Sequence, residues 1–127
     1  MTYQILIVED STLVALDLAR TLEDAGLVVV GTAKNAESAL RLAEEQHIDL
    51  ATMDIELAGG GCGAVTAQKL WEDHAVPSLI ISGSITDQVR EFLAPAKPIG
   101  FISKPFDPDD VLCAVTTFLQ QERSHTP

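Results

Sequence analysis

Short apolar runs alternate with amphipathic stretches along the chain. Continuous Ile/Leu/Val character over residues 4–8, 28–33, 50–54, 78–82 and 100–103 predicts five strands, of the kind a parallel sheet buries on both faces. Between them, apolar positions recur at helical spacing. Leu13, Val14, Leu18 and Leu22 mark a first helix, ended by Gly26, which suits the left-handed position after a helix terminus. Asn35 can cap a second helix that turns Ala39, Leu40 and Ala43 inward and pairs Glu37 with Arg41 outside. A third helix is predicted over residues 63–73, with Val65 and Leu70 among its buried positions. A fourth, over 87–93, is short because Pro95 and Pro98 block its continuation. In the fifth, Asp107 caps, Pro108 fits the first helical position, and Asp109 and Asp110 favour the positive end of the dipole. Val111, Leu112, Val115, Phe118 and Leu119 then form one buried stripe, and Cys113 falls within the same apolar pattern as a core candidate. The chain turns polar from Gln120, so the domain is assigned to residues 1–122 with a polar tail at 123–127.

Strand–helix alternation of this kind predicts an α/β fold: a doubly wound, flavodoxin-like sheet of five parallel strands in the order 2-1-3-4-5, with five helices. In that order the ligand crevice lies between strands one and three. Glu9 and Asp10 close strand one, Asp54 closes strand three, and Lys104 closes strand five. Parallel strands bring all four charges to one sheet edge. Each like-charged carboxylate pair about 5 Å apart costs roughly 3 kcal/mol at an effective dielectric near 20. A divalent cation is the obvious counter-charge, and the arrangement reads as a magnesium and phosphoryl site.

Composition narrows the partners. The 127 residues make one domain with a real core, and 46% hydrophobic content argues against disorder. Eight Lys+Arg against 19 Asp+Glu give a net charge of −11, which disfavours direct binding to nucleic acid or to an anionic membrane. No apolar run is long enough for a membrane span, and no basic region precedes a signal core. Cys62 and Cys113 have no metal-ligand spacing, so reduced thiols and a bacterial cytoplasm are expected, with Cys62 exposed in a glycine-rich loop.

Val8-Glu9-Asp10 after strand one, Asp54 after strand three, Ser82 after strand four and Lys104-Pro105-Phe106 after strand five stand in order, each at a strand end. Together they resemble the receiver domain of two-component response regulators, from Ile5 to about Leu119. The resemblance implies that Asp54 accepts a phosphoryl group from a phosphohistidine on a sensor histidine kinase or histidine phosphotransfer protein. It implies Mg²⁺ bound by Asp10, Asp54 and the backbone carbonyl of Glu56, with Glu9 acting through water. Lys104 and the Ser82 hydroxyl would hold phosphoryl oxygens, and Phe101 would be the switch aromatic. The output would be a downstream protein target bound at the fourth helix, fifth strand and fifth helix of a monomer or weak homodimer. Glu56 and Ser84, two residues beyond Asp54 and Ser82, would tune hydrolysis. A cis bond at Lys104–Pro105 is common among such domains. Phosphoryl transfer itself requires positioning and charge neutralisation, which a metal and an ammonium supply.

Two departures stand out. Leu57-Ala58 replaces a frequent Met-Pro pair, and the glycines at 59–61 and 63 predict a mobile loop beside Asp54. Gly59, Gly61 and Ala64 also satisfy a dinucleotide-type G-x-G-x-x-A pattern, but it follows the third strand, and no acid ends the next strand for a ribose. Two other functions use the same residues. A phosphorylation-independent binding module would keep the fold without the chemistry. A Mg²⁺-dependent phosphatase with an Asp nucleophile would read Asp54-Ile55-Glu56 as a D-x-D motif, although such enzymes place it after the first strand.

Overall fold

The computed structural model describes residues 2–57 and 62–124. The expected alternation is realised as β1 (Gln4–Val8), α1 (Thr12–Asp24), β2 (Val28–Ala33), α2 (Ala36–Glu45), β3 (Leu50–Met53) and α3 (Gly63–His74). It continues as β4 (Ser78–Ser82), α4 (Asp87–Leu93), a 3-10 turn at Ala94–Ala96, β5 (Gly100–Ser103) and α5 (Pro108–Ser124). The five strands are parallel, in the order β2-β1-β3-β4-β5.

Period-two alternation splits the core into two layers. Leu6, Val8, Ala51, Met53 and Ile80 meet Ala39, Ala67, Leu70 and Leu93 from α2, α3 and α4. Ile5, Ile7, Leu50, Leu79 and Ile81 meet Leu18 and Leu22 of α1 and Val111, Val115 and Leu119 of α5. Only β3 and β4 are buried at every position, and β1 at all but Gln4; β2 and β5 lie at the edges and are partly exposed.

Helix ends follow their local chemistry. The side chains of Ser11, Asn35 and Thr86 accept from the N–H groups of Val14, Ser38 and Val89. Asp107 Oδ1 accepts from Asp109 N–H at 2.9 Å, and Gly26 takes φ +88° just beyond α1. Gly63 is required for space: a Cβ there would lie 1.8 Å from the Asp54 carbonyl oxygen. The first turn of α3 therefore rests directly on the end of β3.

Two expected core positions, Val65 and Cys113, are corrected, and Leu13, which marks the first helix, does not join its buried stripe. Leu13 is exposed, because α1 buries the stripe Ala15, Leu18 and Leu22 and turns Leu13 and Leu16 outward. Val65 is exposed, because α3 packs through Leu70 and through Gly63, Ala64, Thr66 and Ala67, whose small side chains let it approach the sheet. Cys113 is exposed; it lies two residues, about 200° of helix, from Val111 and Val115 on the buried stripe. Helix α5 also continues through Ser124, past the start of the expected polar stretch at Gln120. Ala58 and the glycines at 59–61 lie outside the described residues, and with them most of the G-x-G-x-x-A pattern. No described helix is long and apolar enough to cross a membrane.

Candidate functional site

Backbone hydrogen bonds run past the strand ends and fix the acids. Asp54 N–H donates to Val8 C=O at 3.0 Å, and Glu9 N–H to Ala33 C=O at 2.9 Å. Lys104 N–H donates to Ser82 C=O at 3.1 Å, which ties the loop after β5 to the end of β4. These bonds bring Glu9, Asp10 and Asp54 together: one carboxylate oxygen from each lies within 4.8 Å of the others. Glu9 and Asp54 are 2% and 5% exposed, whereas Asp10 faces solvent.

Three further donors in this corner point at carboxylates. Asp54 Oδ1 accepts from Glu56 N–H at 3.1 Å, and its Oδ2 accepts from Lys104 Nζ at 2.9 Å. Glu9 Oε2 accepts from Ser11 N–H at 3.0 Å, and its Oε1 lies 2.6 Å from the same Lys104 Nζ. One ammonium thus bridges two buried acids. Asp10 has no ion-pair partner among the described residues.

The electrostatics follow from that imbalance. Burial pushes the Glu9 carboxyl above its ordinary range, and the charge of Asp54 adds to the rise; the bonds from Lys104 and Ser11 N–H offset only part of it. Burial alone would lower the pKa of Lys104, but its bonds to Glu9 and Asp54 outweigh that, and the ammonium is held more firmly protonated than usual. Three carboxylates share one cation, which leaves a surplus of negative charge on hard oxygen donors. That donor set fits a magnesium-type cation, which keeps several waters and takes few carboxylates.

The remaining expected site residues form a second group. Ser82 is buried at the end of β4, and its Oγ accepts from Ser84 N–H at 3.3 Å. Ser84 Oγ donates to the Glu56 carboxylate, closing the loops after β3 and β4 over one another. Phe101 lies half-buried in β5, two registers from the Ser82–Ser103 pair, with the Arg90 guanidinium over its ring. The Lys104–Pro105 peptide bond is cis. Sequence reading missed Ser11 as both a cap and a backbone donor to Glu9, and it missed Arg90. A serine before an amphipathic run was a usable signal for the first. Nothing in linear order pairs Arg90 with Phe101.

A groove of about 660 Å³ adjoins this corner, lined by Val14, Asp17, Arg20, Lys104, Pro105 and Phe106 among others. A second groove, of about 670 Å³, lies at the opposite, amino edge of the sheet beside Trp71, His74 and Lys97 and shares no residue with the acids.

A family model described as the response regulator receiver domain matches residues 5–116. The phyllosphere-induced regulator PhyR of Methylorubrum extorquens is 33% identical over 126 residues, which cover 95% of this chain and 46% of PhyR. The transcriptional regulatory protein PdtaR of Mycobacterium tuberculosis is 27% identical over 123 residues, 97% of this chain and 60% of PdtaR. The chain therefore spans about half the length of these relatives. Among solved structures, a CheY-like receiver domain protein from Methanospirillum hungatei superposes with a TM-score of 0.91 at 24% identity, covering 99% of this chain and all of that one. The receiver domain of a modulated diguanylate cyclase from Desulfovibrio desulfuricans gives 0.88 at 28% identity, with coverage of 99% and 100%.

Proposed function

We propose that this chain, which belongs to the response regulator receiver domain family, is a signalling phosphoacceptor in which Asp54 takes a phosphoryl group from a phosphohistidine. The observation that carries this reading is the convergence of Glu9, Asp10 and Asp54 within 4.8 Å, with Lys104 bonded to the Asp54 carboxylate. Chemically, an Asp54 carboxylate oxygen attacks phosphorus. The phosphorus–nitrogen bond of the donor breaks, its electron pair returns to the imidazole, and an acyl phosphate remains on Asp54.

Each neighbour has a part. Asp10, Asp54 and the backbone carbonyl of Glu56 would hold Mg²⁺, with Glu9 acting through water; bound there, the ion neutralises charge on the transferring oxygens. Lys104, already on Asp54 Oδ2, would follow the charge onto a phosphoryl oxygen. The Ser82 hydroxyl would leave Ser84 N–H to donate to another, opening space for Phe101 to rotate inward. The protein-binding surface that changes is α4, β5 and α5. The protein turns over no separate substrate; it catalyses only its own phosphorylation and the loss of that group.

A donor needs a place to sit within reach of Asp54. Leu13 and Leu16 are 76% and 61% exposed on α1, the helix whose Val14, Asp17 and Arg20 line the groove reaching Lys104. Exposed leucines here support docking of a sensor kinase or phosphotransfer protein on α1.

The test is incubation with acetyl phosphate and Mg²⁺, followed by intact mass. One phosphoryl adduct is expected on the native chain and none on Asp54→Ala. No adduct on the native chain, or equal labelling of the variant, removes the reading.

A further inference from the structure

Arg90 lies on α4, the shortest of the five helices, with its guanidinium carbon 4.5 Å from the centroid of the Phe101 ring. Among the described residues it takes part in no ion pair, so its charge is directed at an aromatic face rather than a carboxylate. The half-buried ring borders the core layer shared with α3 and α4, and Arg90, itself exposed, covers it from outside.

A short path joins this stack to the acidic corner. Ser82 Oγ accepts from Ser84 N–H at 3.3 Å. Two residues on, the Thr86 hydroxyl caps α4 through Val89 N–H at 3.2 Å, and Arg90 N–H donates to Thr86 C=O at 3.0 Å. On the neighbouring strand, Phe101 is in register with Ile80 and Ser103 with Ser82. The Ser82–Ser84 bond and the Arg90–Phe101 stack are features of one arrangement. A ring that rotates toward space vacated by Ser82 leaves the guanidinium behind.

We propose that Arg90 is the positioning residue of the switch: it holds the Phe101 ring in its present place and so opposes the inward rotation. This rests on the phosphoacceptor reading above. The guanidinium touches neither the acids nor the phosphoryl group; it acts through the aromatic ring. Its removal makes the switched arrangement easier to reach, and anything that binds Asp54 and favours that arrangement binds more tightly.

Beryllofluoride with Mg²⁺, a stand-in for the phosphoryl group on a carboxylate, reads the effect. Its affinity is measured on the full chain for the native protein, Arg90→Ala, Phe101→Leu and the double variant. Arg90→Ala should tighten binding about two- to fivefold, the range of one exposed cation–π contact. Arg90→Lys should keep most of the native affinity, and Arg90→Ala should add nothing once Phe101→Leu is present. Fluorine NMR of 4-fluorophenylalanine at position 101, without ligand, should show Arg90→Ala moving the resonance toward its beryllofluoride-bound position. A purely structural role would move neither the coupling nor the resonance.

An equal effect of Arg90→Ala in both Phe101 backgrounds, or weaker binding, overturns the proposal. Native protein that takes up no beryllofluoride removes the phosphoacceptor reading and this inference with it. Native protein that takes it up, with no Arg90–Phe101 coupling, removes this inference alone.

Discussion

The ends of β1 and β3 are held quite differently from the ends of β4 and β5. Backbone bonds run beyond the strands at both pairs, but at the first Glu9 and Asp54 are buried and α3 sits so close that only glycine fits at position 63. At the second pair, a 3.3 Å bond, a half-buried aromatic and a stacked guanidinium hold a short helix. On the proposed reading, the difference separates two tasks. Chemistry on a phosphoryl group needs side chains fixed in advance. A surface that reports the chemistry needs contacts weak enough for one charge change to reverse.

The largest expected contrast comes from one substitution made on each side. Gly63→Ala drives a methyl group to 1.8 Å from the Asp54 carbonyl oxygen, so unfolding free energy should fall by about 3 kcal/mol or more. At Gly83, in the loop after β4, an added Cβ meets nothing within 4 Å, and Gly83→Ala should stay within about 0.5 kcal/mol of native or rise slightly. Urea denaturation measures both. Equal losses would dissolve the distinction between the two halves.

A smaller effect should follow from Mg²⁺. At tenfold over its dissociation constant, a cation bound only by the folded state adds about 1.4 kcal/mol, or roughly 5 °C in the thermal midpoint of a domain this size. A phosphorylation-independent module with a degenerate corner would show no shift, so the same melt separates that alternative from the phosphoacceptor reading.

The smallest effect is a slope with pH, in metal-free buffer. The Glu9 carboxyl is raised by burial and by the charge of Asp54, so the folded chain holds its proton more tightly than the unfolded chain. Its contribution to stability is complete below the ordinary glutamate range and is lost as pH rises through the raised value. Glu9→Gln removes that loss. The stability of the native chain relative to Glu9→Gln should therefore decline as pH climbs from about 4 toward neutrality, as read by chemical denaturation at several pH values. A rising difference would show that the ion pair with Lys104, not burial, dominates Glu9.

Much of this site was legible in the sequence because parallel strands place their carboxyl ends at one edge, so residues far apart in the chain had to meet. Glu9, Asp54 and Lys104 needed only strand assignment and strand order. Helix faces were harder. Leu13, Val65 and Cys113 are apolar residues off the buried stripe, and composition cannot tell them from their inward neighbours when a helix carries more apolar residues than its contact needs. Contacts between loops were hidden for another reason. The Glu56–Ser84 bond spans 28 positions and joins two irregular segments, whose geometry no periodicity describes.

The bridging lysine has one more consequence. Lys104 Nζ sits 2.6 Å from Glu9 and 2.9 Å from Asp54, so two of its three hydrogens are already committed to acids. Its third hydrogen stays open to an incoming phosphoryl oxygen, so Glu9, deep in the molecule, keeps its sole basic companion among the described residues when that oxygen arrives. On the proposed reading, one ammonium would then serve both the resting acids and an anion held at Asp54. Any coupling of that anion's binding to a divalent ion would be reciprocal, each changing the other's affinity by the same factor.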